Sequence, residues 1–179
     1  MKLKYTLLAI LFLFVTTGCD GEMTGIVVDA ETGQPIEGAI ILVEWTKTKG
    51  VPGLSSTESY KVVEEVTDKE GKASIDGVVG PFVSAPRVTV YKKGYVAWNN
   101  TFIFPDWGKR TDFKWENDYV FKLEKFKPGY SYVKHTGFIG FAILDNIAFE
   151  KKKLMNNATD WEHKKASEER DEKRKKKGY

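Results

Sequence analysis

Two histidines, His135 and His163, and a single cysteine, Cys19, are the scarcest chemically capable side chains here, set against 25 carboxylates in 179 residues. A zinc centre draws three or four ligands from His, Cys, Asp and Glu, with histidine or cysteine prominent. That supply predicts no catalytic metal site. Ser55, Ser56 and Ser59 with His135 hold the raw material of a Ser/His/acid arrangement, yet no segment resembles the strained strand-to-helix turn that exposes a nucleophilic serine. His135 is therefore expected to be a surface or packed imidazole. Glu64 with Glu65, and Asp68 with Glu70, read as solvated strand and turn carboxylates, because no loop has the calcium-binding pattern. No catalytic residue, metal or cofactor is expected, and a hydrolase with an unrecognised site stays as the lesser alternative.

Binding chemistry is better supplied. Trp98, Phe102, Phe104, Trp107, Phe113, Trp115 and Tyr119 crowd one segment, interleaved with Lys109, Arg110 and Lys114. Aromatic platforms stack on sugars or peptide side chains, and Trp and Arg concentrate binding energy at interfaces. Most of these rings are expected to fill a core. Trp107 and Trp115, with Lys109 and Arg110 beside them, are left as the candidate partner-binding residues.

The chain begins with Lys2 and Lys4, an uncharged apolar run from Tyr5 to Val15, and the small residues Thr16, Thr17 and Gly18 before Cys19. This is the plan of a signal peptide. Its apolar run of about eleven residues is too short for the roughly 20 of a membrane-spanning helix, so residues 1–18 are expected to be removed. The stretch ending at Cys19 resembles a lipobox, in which the cysteine is acylated and becomes the first mature residue; Thr16 departs from the usual Leu. Two or more acyl chains give a stable membrane anchor, and acylation removes an unpaired thiol from an oxidising compartment. The expected place is the bacterial cell envelope, facing the periplasm or the exterior. Asp20 resembles an inner-membrane retention signal, but that rule varies among bacteria, and both membranes stay open.

One cysteine permits no internal disulfide, so stability must come from a buried core, which 41% apolar and 13% aromatic residues can supply. Short runs rich in Val, Ile and aromatics are punctuated by turn residues. They predict strands over Thr24–Ala30, Ala39–Trp45, Tyr60–Val66, Lys72–Ile75, Arg87–Tyr91, Tyr95–Phe104 and Asp118–Leu123. In the second run Ile40, Leu42 and Glu44 share one face, and Ala39, Ile41, Val43 and Trp45 the other. Both faces are apolar enough for one to enter the core and the other to be covered. Residues 46–59, polar with Gly50, Pro52 and Gly53, read as a long surface loop. Seven short strands without helical periodicity favour an antiparallel sandwich.

Beyond Pro128 the pattern changes. Phe138–Phe149 is dense in apolar residues and helix-compatible, and is expected to pack on the sandwich, on lipid or on another protein. Thr159 and Glu162 resemble a capping box opening a charged, solvated helix over Asp160–Lys177. Residues 150–179 hold 11 Lys/Arg against 7 Asp/Glu, whereas residues 20–149 hold 15 against 18, so the basic character belongs to the tail. Lys173–Lys177 reads as the cationic end of that helix. Nucleic acid is not an expected partner for an exported chain.

The ordered series Gly25-x-Val27-x-Asp29-x-x-Thr32-Gly33-x-Pro35-Ile36-x-Gly38-Ala39, then Thr67-Asp68-x-x-Gly71, then Lys93-Gly94-Tyr95 is similar to the carboxypeptidase regulatory-like domain family. The resemblance covers about residues 22–103 and implies a transthyretin-like, seven-stranded β-sandwich with its seventh strand just beyond. Gly33, Pro35, Gly38, Asp68, Gly71 and Gly94 all suit turn or close-approach positions. In that family the module accompanies metallocarboxypeptidases and outer-membrane proteins without doing chemistry. The expected organisation is a signal peptide (1–18), a mainly β sandwich (19–127) and a helical, charged extension (128–179). The expected role is a membrane-held binding or structural module for an envelope protein or glycan, the alternative being an assembly subunit docking through its apolar C-terminal segment.

Overall fold

A computed structural model describes residues 22–51, 53–78, 80–144 and 148–178. The proposed signal peptide and Cys19 lie outside them. β1 (Met23–Asp29) buries Met23, Gly25, Val27 and Asp29 and leaves the alternate residues half-buried, the period of two of a strand with one face on a core. It lies between β4 (Lys72–Ile75), antiparallel, and β9 (Tyr119–Leu123), parallel. A second sheet runs β3 (Leu54–Val66), β2 (Ile40–Val51), β5 (Arg87–Tyr91), β6 (Trp98–Asn99). The inner faces meet: Met23, Val27, Ile75, Phe121 and Leu123 of one sheet share a core with Ile41, Val43, Trp45, Val88, Val90 and Trp98 of the other. Phe121 is fully buried, which by itself stabilises the fold by about 2–3 kcal/mol.

The molecule is mainly β with a C-terminal helical part, but its strands number nine in three sheets among the described residues, not seven. The extra breaks arise at Asn99. Its carboxamide accepts the N–H groups of Thr101 and Phe102 and donates to Val88 and Thr89, so the chain bends where one long strand is expected from the sequence. β7 (Phe102–Ile103) then folds back on β8 (Gly108–Lys109) as a separate ribbon. Nor is the pairing wholly antiparallel. β9 arrives through the long aromatic segment rather than a tight hairpin, and nothing in such a connection forces it to oppose β1.

Residues 46–59 also differ from expectation. They are not a loop: β2 and β3 continue as a hairpin ladder from Thr46 paired with Ser59 to Val51 paired with Leu54. Alternating threonines suit exposed strand positions, Lys49 pairs with Glu58 across the ladder at 2.8 Å, and Gly53 at φ 89° suits a reversal. Polarity marks exposure here, not the end of a strand.

The outer face of the second sheet is covered by the extension. α1 (Tyr132–Ala142) and the residue after it bury Phe138, Ile139, Ala142 and Ile143, three of which cluster with Ile40, Leu42, Tyr91 and Val96. The first part of the apolar segment, Phe138 to Ile143, therefore packs on its own sheet, while Phe141 and Phe149 are exposed. A 3-10 turn at Phe149–Lys151 leads into α2 (Lys153–Lys176). Thr159 and Glu162 do not cap it. They lie inside the helix on a buried stripe with Met155 and Ala166, and Thr159 Oγ1 donates back to the Met155 carbonyl. The cap comes from across the sheet, where Glu64 accepts the N–H groups of Leu154 and Met155. Reciprocally, Glu169 of α2 accepts from Ser131 Oγ and Val133 N–H at the start of α1.

Lys152 is fully buried, with its ammonium 2.6 Å from the Glu44 carboxylate and donating to the carbonyls of Ile143 and Leu144 that follow α1. Lys152→Met removes this ammonium from beside a carboxylate that is 3% exposed, and is expected to lower unfolding free energy by about 3 kcal/mol. Urea titration measures it, and Glu44→Met with Lys152→Met together should be less harmful than Lys152→Met alone.

Acid should act through two other carboxyls. The Thr32 N–H, opposed by burial and joined by the Glu31 N–H and Tyr95 hydroxyl, holds Asp29 at about 2. Glu169 is also held at about 2, because Lys173, Ser131 and the Val133 N–H outweigh its burial. Both values lie below the ordinary ones of 3.8 and 4.5. Their contribution is complete above about pH 4.5 and is lost as pH falls toward about 2. Urea midpoints should fall across that window, and less steeply in Asp29→Asn with Glu169→Gln.

Candidate functional site

The turn residues singled out in the sequence converge on one end of the sandwich. Asp29 Oδ1 accepts the N–H groups of Glu31 and Thr32, and its Oδ2 accepts from Tyr95 and faces Lys125. Gly33 (φ 69°) closes that turn, and Pro35 bridges to Val28. Thr67 Oγ1 accepts from Ala39 N–H and donates to the Ile36 carbonyl, while the Gly38 N–H donates to the Thr67 carbonyl. Asp68 accepts the N–H groups of Glu70 and Lys72, closing the turn that Gly71 completes. At Gly71 a side chain is impossible without movement, since a Cβ would stand 2.5 Å from the Val27 carbonyl. Gly94 turns the chain toward Tyr95, and its carbonyl accepts from Phe126. These contacts are backbone scaffolding, made by turn residues bonding the chain to itself.

The aromatic segment divides. Trp98 is buried among Phe113, Tyr119 and Phe121. Trp115 is half-buried, edge-on to Trp45 at 5.7 Å. Trp107 is 42% exposed and stands on Phe138 and Phe141 of α1 at 5.2 and 5.3 Å. The two candidate tryptophans therefore belong to different clusters and form no shared platform. Lys109 is exposed on β8. Arg110 lies with its guanidinium 4.5 Å over the Trp98 ring, donates to the Asn99 carbonyl and reaches Asp112 at 3.4 Å.

Arg110 also opens onto a groove of about 580 Å³ beside β9, walled by Trp98, Ile103, Asp112, Tyr119, Val120 and Lys122. β9 is an edge strand. The Leu123 carbonyl accepts from Ala30 and the Glu124 carbonyl, on the opposite side, from Val96. Successive residues of a strand direct their backbone groups to alternate sides, so Tyr119 and Phe121 face β1 while Val120 and Lys122 present their N–H and C=O groups to the groove. Asp112, Glu116, Asp118 and Glu124 outnumber Arg110 and Lys122 along it. The Tyr119 hydroxyl feels that field: burial and then the Asp112 carboxylate raise it above the ordinary phenol value. Sequence reasoning missed Val120 and Lys122, because an edge is a property of sheet order rather than of residue type.

His135 is sealed. Its Nε2 accepts the Ala97 N–H at 2.9 Å, which places the ring proton on Nδ1, 2.7 Å from Glu162. Phe104, Phe126 and Phe138 surround the ring. Among the described residues no three His, Cys, Asp or Glu side chains gather as a metal site, and no helix is long and apolar enough to cross a membrane.

The placements separate packing from surface roles. Trp107→Ala deletes ring contacts to Phe102, Phe138 and Phe141, and is expected to destabilise the protein by about 1–2 kcal/mol. Lys109→Ala should stay within about 0.5 kcal/mol. Urea unfolding followed by tryptophan emission compares them.

Set beside known proteins, the chain matches no family model and no curated protein.

Proposed function

We propose that this chain is a bacterial envelope lipoprotein, held at the membrane by acylated Cys19, whose sandwich binds an extended segment of a partner protein and performs no chemistry itself. The fold assignment that goes with it is the carboxypeptidase regulatory-like, transthyretin-like sandwich. Its seven strands would be β1 to β5, the interrupted pair β6 and β7 taken as one, and β9, with β8 as an addition.

The observation that carries the binding reading is the open edge at Val120 and Lys122. A peptide laid there would satisfy their backbone groups, extend the three-stranded sheet and rest against Trp98, Ile103 and Arg110, as in strand-addition recognition. The acidic excess along the groove favours basic side chains in the incoming strand. Lys122 and the short length of β9 discourage indiscriminate edge pairing. A glycan is less well served, because Trp107 and Trp115 stand apart. The absence of chemistry is supported by His135, whose two nitrogens are committed and shielded.

A displayed library of short peptides, selected on the purified chain, tests this. Selected peptides should be rich in β-branched and basic residues. They should bind Val120→Pro about tenfold more weakly, the value of one backbone hydrogen bond. The thermal midpoint should change little, because the lost N–H faces away from β1. Peptides that bind both proteins equally would remove the edge from consideration.

A further inference from the structure

We infer that the β2–β3 hairpin is a membrane-contacting arm, its tip resting in the headgroup region of the bilayer that carries the acylated chain. The inference rests on the proposal that Cys19 is lipidated.

Gly25 of β1 gives a common level for the two sheets, because a Cβ there would lie 3.0 Å from Ile41 of β2. β1 ascends from that end of the sandwich. β2 enters at the opposite end, where Ile36 bonds Val27, and descends. From Ile41 it continues ten residues to Val51, about 30 Å at the strand rise with allowance for the angle between packed sheets. Cys19 precedes Gly25 by six residues, which even fully extended cover only about 20 Å. The hairpin tip therefore reaches farther toward the anchor side than the acylated sulfur can. A domain tethered so closely cannot stand clear of the lipid; the hairpin must lie on it or enter it.

The tip is suited to that contact. In a chain that is 30% charged, residues 50–57 carry no charge. Leu54 is 82% exposed. Phe82 is 80% exposed and held at φ 63°, next to Val83, which bridges to Lys47 at the base of the arm. A bulky side chain at positive φ is a strained arrangement, here turning a ring to solvent on the anchor side. Lys47 and Lys49 stand above the uncharged tip with Glu58 between them, Lys49 paired with it at 2.8 Å, which leaves one net positive charge at the level where a long cationic side chain reaches lipid phosphates while its stem lies on apolar surface. An interfacial leucine with nearby lysines gives weak attachment by itself, and becomes an orienting contact once acyl chains supply the anchor.

The test uses the full chain produced in a bacterium and reconstituted in vesicles of phosphatidylethanolamine and phosphatidylglycerol. Leu54→Cys at the tip and Gln34→Cys at the opposite end are each labelled with an environment-sensitive dye, and headgroup-level nitroxide lipid is added as quencher. The Leu54→Cys label should be quenched about threefold more strongly than the Gln34→Cys label, with blue-shifted emission. Equal quenching, with the mass of acyl groups found on the peptide bearing Cys19, would overturn the arm and leave the anchor intact. An unacylated Cys19 that takes the dye in the otherwise unchanged chain would overturn the anchor and the arm together.

Discussion

The carboxylate of Glu162 is the point on which the helical layer depends. It belongs to α2, is fully buried, and accepts from Tyr91 on the sheet and His135 on α1. A buried carboxylate costs several kcal/mol unless its oxygens are bonded, so α2 is held to the one position where both donors reach. Trp161 extends the network by donating to the Tyr91 hydroxyl, and His135 carries it to the Ala97 N–H at the entrance to β6. The surrounding contacts among Leu42, Phe138, Ile139 and Met155 are apolar and tolerate sliding. The polar chain through them does not, and it sets the register of two helices on a sheet.

The same logic recurs at the helix ends. Three of the four helix ends draw on a residue from outside the helix: Glu64 closes the start of α2, Glu169 joins the N-cap Ser131 at the start of α1, and Lys152 gathers the carbonyls after α1. At these three ends helix formation and helix docking occur together. One result is that the helices cover the outer face of the four-stranded sheet around Ile40, Leu42 and Tyr91. Val120 and Lys122 of β9 stay exposed.

Much of the β architecture was legible because alternation and turn chemistry are local. The two faces of β2 behave as their residue types imply, with Ile41, Val43 and Trp45 inside and Ile40 and Leu42 under the helices. What escaped was set by distant partners. The hairpin beyond Trp45 has the polar composition of a loop, yet its ladder propagates from buried pairs above it. Thr159 and Glu162 have the spacing of a cap, and nothing nearby in sequence announces that Tyr91 and His135 will claim the carboxylate. Asn99 looks like an ordinary strand residue until its carboxamide folds onto Thr101. The candidate tryptophans were identifiable by type, but their separation, and the open backbone at Val120, come from tertiary placement.

The parallel pairing of β1 with β9 has a consequence in time. The first strand of the domain sits in the middle of its sheet, and one of its neighbours is the last strand, with Gly25 beside Tyr119. A chain emerging from its amino end therefore cannot complete that sheet until almost the whole sandwich has been delivered. Contacts this remote in sequence are slow to form, which keeps a partly emerged chain extended and loosely organised.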